Sequence, residues 1–156
     1  MAEVTVERFS SAPLDKVFQV AREVEHYPEW LDYVRSLKVL ERSEDGTVLV
    51  TEWQASLPMI GLTSRWKEKD EWDISERVCR FYQIEGDFDQ YEGIWTFEPD
   101  GGGTRMRLAL VYHIAIPIGG PLVEKLVKRL VEQMLEKFLE GIARRAETED
   151  RANALQ

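Results

Sequence analysis

The spacing of apolar residues divides the chain into a strand, two short helices, a long β region and a final helix. Residues 4–9 alternate between apolar and polar, as in a half-buried strand, and apolar residues recur at helical spacing over residues 14–24. Residues 26–31 carry a proline near the start of a second short helix, where proline is tolerated. From residue 34 to residue 114, β-branched and aromatic segments alternate with turns, which predicts an antiparallel meander of six strands.

Apolar pairs repeat every four residues in the last part of the chain, from Leu122-Val123 to Ile142-Ala143, with charged residues between them. This repeat drifts by about 40° per step relative to the turn of an α-helix, so the apolar stripe winds around the helix. Such a helix keeps contact with a twisted sheet that wraps around it. The pattern predicts an α+β fold in which a first strand and a six-stranded antiparallel meander are followed by a long C-terminal helix that crosses the twisted sheet. We expect one domain over residues 1–147 and a frayed polar tail over residues 148–156.

The turns of the predicted meander are of two kinds. The polar turns are residues 43–46, 73–76 and 99–103. The other turns, which we call the apolar rim, are residues 57–61, 86–89 and 115–120. Consecutive turns of a meander fall at opposite ends of the sheet, so the two kinds are expected at opposite ends. Each large apolar side chain left in water forgoes roughly 1.5–3 kcal/mol, so the apolar rim predicts a binding site or an interface.

Composition and charge narrow the classes of function. A chain of 156 residues with 44% hydrophobic content suits one domain with a single core. Its net charge of -9 disfavours nucleic acid as a partner. The single cysteine, Cys79, excludes an intramolecular disulfide framework, and the first residues do not resemble a signal peptide, so we expect a cytoplasmic protein. No apolar run reaches the roughly 20 residues that cross a bilayer, so membrane contact is expected to be peripheral.

Turn length sets the predicted register of the strands. A four-residue loop at the first apolar hairpin places Leu57 opposite Leu62 and Trp53 opposite Trp66, so both tryptophans share a face. Across the next turn, one register gives three further pairs: Asp70 with Arg80, Glu68 with Tyr82, and Trp66 with Ile84. The inner face would then grade from apolar near the rim to a small polar group deeper in.

This polar group supplies the candidate catalytic residues, Glu68, Arg80 and Tyr82. Arg80 or Tyr82 would polarise a carbonyl group, and Glu68 would move protons. The same residues also fit a solvated outer face or a structural ion pair. Carboxylates at the spacing of a calcium loop are lacking, so no metal is expected.

The candidate ligand-binding residues share an apolar or aromatic character and positions on the inner face, the apolar rim or the helix stripe. They are Trp53, Leu57, Met59, Ile60, Trp66, Ile84, Phe88, Tyr91, Trp95, Leu110, Tyr112, Ile116, Ile118, Leu126, Leu130 and Met134. Side chains of this kind either line a cavity or fill a solid core, and the pattern leaves both interpretations open.

Two motifs resemble a known family: HYPEW at residues 26–30, and GDFDQYEGIWTFEP at residues 86–99 followed by GGT at residues 102–104. With the predicted order of elements they resemble the START-like, or Bet v 1-like, helix-grip superfamily. Within it they are similar to the polyketide cyclase/dehydrase and coenzyme Q-binding branch. The resemblance implies an α+β helix-grip fold, in which a seven-stranded antiparallel sheet grips the long C-terminal helix around an apolar cavity. It also implies a lipid, quinone, polyketide or hormone as ligand, and some members of the family catalyse cyclisation or dehydration. We expect no cofactor.

Three hypotheses of function follow. The first is a binding protein that takes up a lipophilic small molecule through Met59, Ile60, Phe88, Ile116 and Ile118. The second is a polyketide aromatase/cyclase or dehydratase. The third is an interaction module, either a partner of a protein or ribosome or a homodimer that buries the apolar rim. Contact of the rim with a membrane or a carrier protein is compatible with the first two.

Overall fold

The computed structural model of the chain describes residues 2–57, 61–116 and 119–155. Its strands are β1 (Ala2–Ser10), β2 (Val34–Arg42), β3 (Val48–Leu57), β4 (Leu62–Asp73), β5 (Val78–Gly86), β6 (Gln90–Asp100) and β7 (Gly103–His113). Its helices are α1 (Leu14–Arg22), a 3-10 helix (Val24–Glu29) and α2 (Pro121–Ala154). None of the helices in these residues is long and apolar enough to cross a bilayer.

The strands form one antiparallel sheet in this part of the chain, in the order β1-β7-β6-β5-β4-β3-β2. Strands β2 to β7 follow one another as a meander, and β1 pairs with β7 along its whole length. The predicted seven-stranded helix-grip fold is therefore confirmed. Successive hairpins fall at opposite ends of the sheet, so the polar turns share one end and the described parts of the apolar rim lie at the other.

The C-terminal half of α2 is fixed against the sheet. Ser10 Oγ lies 3.2 Å from Ala143 O and 3.1 Å from a carboxylate oxygen of Glu147, which joins the end of β1 to the helix. Gly141 lets the helix approach the Trp30 ring, because a Cβ atom at this position would lie 2.3 Å from the ring. A hydroxyl group and a glycine thus bring α2 close to the end of β1 and to Trp30. The apolar stripe alone would not specify this position of the helix.

The end of α2 differs from the sequence-based expectation, because the helix continues to Ala154 through most of the expected polar tail. The apolar stripe ends at Ala146, which is why the sequence predicts fraying beyond it. Charge pairing takes over there: Glu149 lies 3.4 Å from Arg145 one turn earlier and 4.0 Å from Lys16 on α1. Pairs of opposite charge four residues apart stabilise a helix even where no apolar face is buried.

The interior is packed solid at the end of the sheet that carries the polar turns. Phe18 on α1 meets the rings of Trp72 and Phe97 edge-on, with centroids 5.6 Å and 5.1 Å away. Met106 and Ile142 close this region and are both fully buried. The dense packing under α1 leaves the other half of the interior, toward the apolar rim, as the place for a cavity.

Candidate functional site

A cavity of about 150 Å³ lies between the inner face of the sheet and α2. Nine of the predicted ligand-binding residues line it: Trp53, Leu57, Trp66, Phe88, Tyr91, Trp95, Leu110, Tyr112 and Met134. Met59, Ile60 and Ile118 lie outside the described residues, and Ile116 is half-buried against the core without lining the cavity. The structure thus brings the nine residues together, and their part in ligand binding stays a prediction.

The cavity reaches the apolar rim, where Leu57, Leu62 and Ile114 line it at the ends of three strands. Phe88 adds an aromatic ring from the loop between β5 and β6. The Gln83 side chain fixes this loop, because its amide N–H donates to Phe88 O at 2.8 Å and its oxygen accepts the Phe88 N–H at 3.1 Å. With both backbone groups paired, Phe88 is held at the rim end of the cavity.

Aromatic rings form the wall just inside the rim. Trp53 and Trp66, which pair across β3 and β4, stack with centroids 5.6 Å apart and planes 7° apart. Trp66 also meets Phe88 edge-on at 5.4 Å and lies 5.4 Å from the Tyr91 ring. Flat, rigid surfaces of this kind bind apolar rings with little loss of side-chain entropy.

A pair of buried carboxyl groups lies next along the cavity. Glu68 and Asp70 are each 5% exposed and line the cavity from alternate positions of β4. Glu68 accepts the indole N–H of Trp66 at 2.8 Å, and Asp70 accepts the Thr51 hydroxyl at 3.2 Å. No Arg, Lys or His side chain lines the cavity within the described residues, so these carboxyl groups have no cationic partner there.

Burial shifts the titration of this pair. The pKa of Glu68 is raised well above its ordinary value, first by desolvation, then by the nearby Asp70 charge and a hydrogen bond with that group. The pKa of Asp70 is also raised by desolvation, while its hydrogen bonds to Glu68 and Thr51 oppose the shift. Two carboxyl groups that interact this closely titrate as a unit. The pair therefore tends to keep a proton at a pH where isolated carboxyl groups have lost theirs.

The deepest part of the cavity is a cross-strand row of Trp72, Cys79 and Trp95 on β4, β5 and β6. The two indole rings lie 5.9 Å apart, and neither indole N–H finds an acceptor among the described residues. A buried donor without an acceptor costs about 1–3 kcal/mol. Desolvation raises the pKa of the Cys79 thiol well above its ordinary value, so the thiol stays protonated and is a poor nucleophile.

The predicted register is confirmed at the first apolar hairpin and wrong at the next one. Leu57 pairs with Leu62 and Trp53 with Trp66, as predicted. Across β4 and β5, however, Glu68 pairs with Gln83. The turn holds four residues instead of three, because Asp73 pairs with Val78, and a bulge near Glu68 shifts the register again.

This correction removes two catalytic candidates and one ligand-binding candidate from the cavity. A shift of one residue moves every side chain of a strand to the opposite face. Arg80, Tyr82 and Ile84 therefore lie on the outer face of β5, where Ile84 is 50% exposed. Of the three catalytic candidates, Glu68 alone lines the cavity.

The helix stripe also needs a correction. Met134 lines the cavity as predicted, but Leu126 is 39% exposed and Leu130 is buried in the core, and neither lines the cavity. Their neighbours Val127 and Val131 line it instead. The apolar pairs show how the stripe winds around the helix. They do not show which member of each pair faces the cavity.

Several residues that line the cavity were not predicted from the sequence. Cys79 and Phe81 alternate with Arg80 on β5, so the error in register placed them on the wrong face. Tyr27 and Tyr33 enter the cavity from the segment around the 3-10 helix. The Tyr-Pro motif marked Tyr27, but nothing in the local pattern showed that its ring faces a cavity.

A seven-stranded antiparallel sheet that wraps around a C-terminal helix and encloses an apolar cavity defines a START-like helix-grip protein. Residues 10–139 match the family described as polyketide cyclase/dehydrase and lipid transport. The chain belongs to this family. Membership of the coenzyme Q-binding branch in particular stays a prediction.

Solved structures with the same fold include three close matches over most of the chain. The protein TTHA0849 from Thermus thermophilus is 39% identical, with a TM-score of 0.87 over 95% of this chain and 99% of its own. The Zhui aromatase/cyclase from Streptomyces sp. R1128 is 19% identical, with a TM-score of 0.81 over 94% and 93%. A START superfamily protein from Mycobacterium smegmatis is 20% identical, with a TM-score of 0.77 over 94% and 97%. No curated protein matches the sequence significantly.

Proposed function

We propose that the protein binds a lipophilic small molecule, of the lipid, quinone or polyketide type, in the cavity between the sheet and α2. One observation carries the proposal: an apolar and aromatic cavity that reaches the apolar rim, in a family described by polyketide cyclisation and lipid transport. Burial of apolar ligand surface supplies about 25 cal/mol per Å² of driving force. Trp53, Trp66 and Tyr91 offer flat surfaces for an unsaturated or cyclic ligand.

The size of the cavity bears on how a ligand enters. Pockets for drug-sized molecules typically measure about 300–1,000 Å³, whereas this cavity measures about 150 Å³. It accommodates roughly one substituted ring as it stands. A longer ligand would extend out through the apolar rim or separate α2 from the sheet near its N-terminal end, where Leu122 is 81% exposed.

A larger side chain on α2 that fills the cavity tests this proposal. Val131 lines the cavity, whereas Leu126, on the same helix, is partly exposed and does not. We expect Val131→Trp to weaken binding of the neutral fluorescent lipophile N-phenyl-1-naphthylamine at least tenfold, because the indole occupies the ligand's space. Leu126→Trp introduces the same side chain outside the cavity and should stay within twofold of the wild type. Equal affinities for the two variants, measured by fluorescence titration, would remove the cavity as the binding site.

A second candidate is an aromatase/cyclase or dehydratase, and the buried pair of Glu68 and Asp70 favours it. A buried carboxyl group whose pKa is raised is suited to protonate or hydrogen-bond a ligand carbonyl while its partner accepts a proton. The Glu68→Gln variant distinguishes the two candidates. An enzyme should lose about a hundredfold or more in turnover of a poly-β-ketone, whereas a binding protein should show no such turnover in the wild type.

A further inference from the structure

Two acidic groups lie in the cavity without a counter-charge. Glu68 and Asp70 are each 5% exposed and line the cavity from β4. No Arg, Lys or His side chain lines it in residues 2–57, 61–116 and 119–155. The pair tends to keep one proton, and its second carboxyl group then carries a negative charge with no partner of opposite sign. A buried charge without a partner is costly, so a cation supplied by a ligand would stabilise the pair.

The same pair has unused hydrogen-bond acceptor sites. Glu68 accepts the indole N–H of Trp66 at 2.8 Å. It also takes part in hydrogen bonds with Tyr91 and Asp70. Asp70 accepts the Thr51 hydroxyl at 3.2 Å. A carboxylate has roughly four acceptor sites, so each of the two groups keeps at least one for an N–H group of a ligand.

Aromatic rings lie beside the carboxyl pair. Trp66 and Tyr91, which both hydrogen-bond Glu68, have ring centroids 5.4 Å apart. Trp53 stacks on Trp66 and also lines the cavity. An ammonium group is attracted to the faces of such rings, most strongly where water is excluded. The rings therefore favour a ligand of the same charge as the carboxyl groups do.

A further polar group of the cavity lacks a partner. Ser64 is 8% exposed, lines the cavity, and lies two residues nearer to the rim than Trp66 on β4. Its hydroxyl group hydrogen-bonds no described residue, and its oxygen is not among the polar atoms that the described structure shuts off from solvent. Buried polar groups are normally satisfied, so this hydroxyl needs a molecule in the cavity. It is independent of the carboxyl pair and supports an occupied cavity along β4.

We propose that the lipophile is an amine, and that its ammonium group binds Glu68 and Asp70 beside the rings of Trp66 and Tyr91. The inference rests on the proposed function and narrows its ligand to a lipid-type amine, in which a hydrocarbon chain or ring carries the charged group. On binding, the ammonium takes the place of the proton that the carboxyl pair shares, and this proton leaves to the solvent. Carboxylate and phosphate head groups are excluded, because they would be desolvated beside two acidic groups.

The experiment compares three probes of nearly the same shape, benzylamine, benzyl alcohol and ethylbenzene, which differ in an ammonium, a hydroxyl or a methyl group. Their affinities are measured near neutral pH by NMR titration of the labelled protein. The decisive quantity is the ratio of the benzylamine affinity to the ethylbenzene affinity, because this ratio cancels the effect of a change in cavity shape. We expect the wild type to prefer benzylamine over both neutral probes.

Two isosteric variants test the carboxyl groups. Asp70→Asn and Glu68→Gln should each lower the affinity ratio about tenfold, the size of one hydrogen bond to a charged group. Glu71→Gln is the matched control, because it removes one negative charge from the same strand at an exposed position. It should keep the ratio within twofold of the wild type.

A second readout uses the wild-type protein and does not depend on the folding of the variants. In ¹³C-labelled protein, saturating benzylamine should move the side-chain carboxyl resonances of Glu68 and Asp70 toward the positions of ionised groups, because the ammonium displaces the shared proton. Ethylbenzene should not produce this shift. The carboxyl resonance of the exposed Glu71 should stay unchanged with both probes.

The outcomes separate this inference from the proposed function. If benzylamine binds no more tightly than ethylbenzene or benzyl alcohol, the cavity does not require a cation, and the inference is overturned while the proposed function stands. A preference for benzylamine that persists in both variants, or that leaves the carboxyl resonances in place, puts the ammonium elsewhere and also overturns the inference. The same holds if N-phenyl-1-naphthylamine binds and the three probes do not. If none of the four compounds binds, both the inference and the proposed function fail.

Discussion

Glu68 carries the most unusual chemistry of any single residue in the cavity. It is an acidic side chain buried among aromatic rings, and its hydrogen bonds involve Trp66, Tyr91 and the neighbouring Asp70. Desolvation, the Asp70 charge and the hydrogen bond with Asp70 raise the pKa of Glu68 and together outweigh the opposing hydrogen bonds from Trp66 and Tyr91, so the neutral form is favoured more than in an exposed glutamate. The unfolded chain has no such preference, so the pKa shift of this residue makes the stability of the fold depend on pH.

The sign of this dependence follows from the direction of the shift. Above the ordinary Glu pKa of 4.5 the folded state holds more protons than the unfolded state, so the free energy of unfolding decreases as the pH rises toward the folded pKa. We expect urea denaturation of the wild type to show this decrease between pH 5 and pH 8. Glu68→Gln should flatten the decrease, because glutamine stays neutral at every pH. A pKa difference of one between the folded and unfolded states corresponds to about 1.4 kcal/mol of stability lost in the wild type and kept in the variant.

Glu71→Gln is the matched control for this measurement, because Glu71 lies on the same strand with its side chain exposed. It should leave the pH dependence as in the wild type. A wild-type stability that stays constant or increases over this interval would show that the carboxyl pair is ionised in the folded protein.

Among the elements, the existence of each strand and helix follows from the sequence more readily than the register between strands or the rotation of a helix about its axis. The alternation along β6 and β7 and the four-residue repeat of α2 predict the elements themselves, because each repeat reflects a buried face. The register between β4 and β5 does not follow, since it depends on whether the turn after Asp73 holds three or four residues. That single residue decides whether Arg80 or Phe81 faces the cavity.

The same limit applies to α2. The apolar pairs show that the helix winds against the sheet, but either member of a pair could face the cavity. The structure resolves the choice through contacts far apart in sequence, such as Ser10 with Ala143 and Trp30 with Gly141. Local patterns therefore predict the fold and the kind of cavity, whereas the identity of its polar residues depends on tertiary packing.

The whole molecule combines a rigid end with an end suited to uptake of a ligand. Under α1 the interior is dense, and the C-terminal half of α2 buries its apolar face and is hydrogen-bonded to β1. Toward the apolar rim the cavity is lined by aromatic rings, and the first turns of α2 are largely exposed. Regions with few buried contacts open at a lower free-energy cost than the core, so ligand entry at this end would leave the remainder folded.

Native mass spectrometry of freshly purified protein shows whether the cavity holds a lipophilic molecule. We expect a population of the wild-type protein whose mass exceeds that of the chain by one small molecule. Organic extraction should release this molecule as a lipophile of the lipid, quinone or polyketide type. Finding the bare chain alone, together with no binding of N-phenyl-1-naphthylamine by the same preparation, would contradict the proposed function.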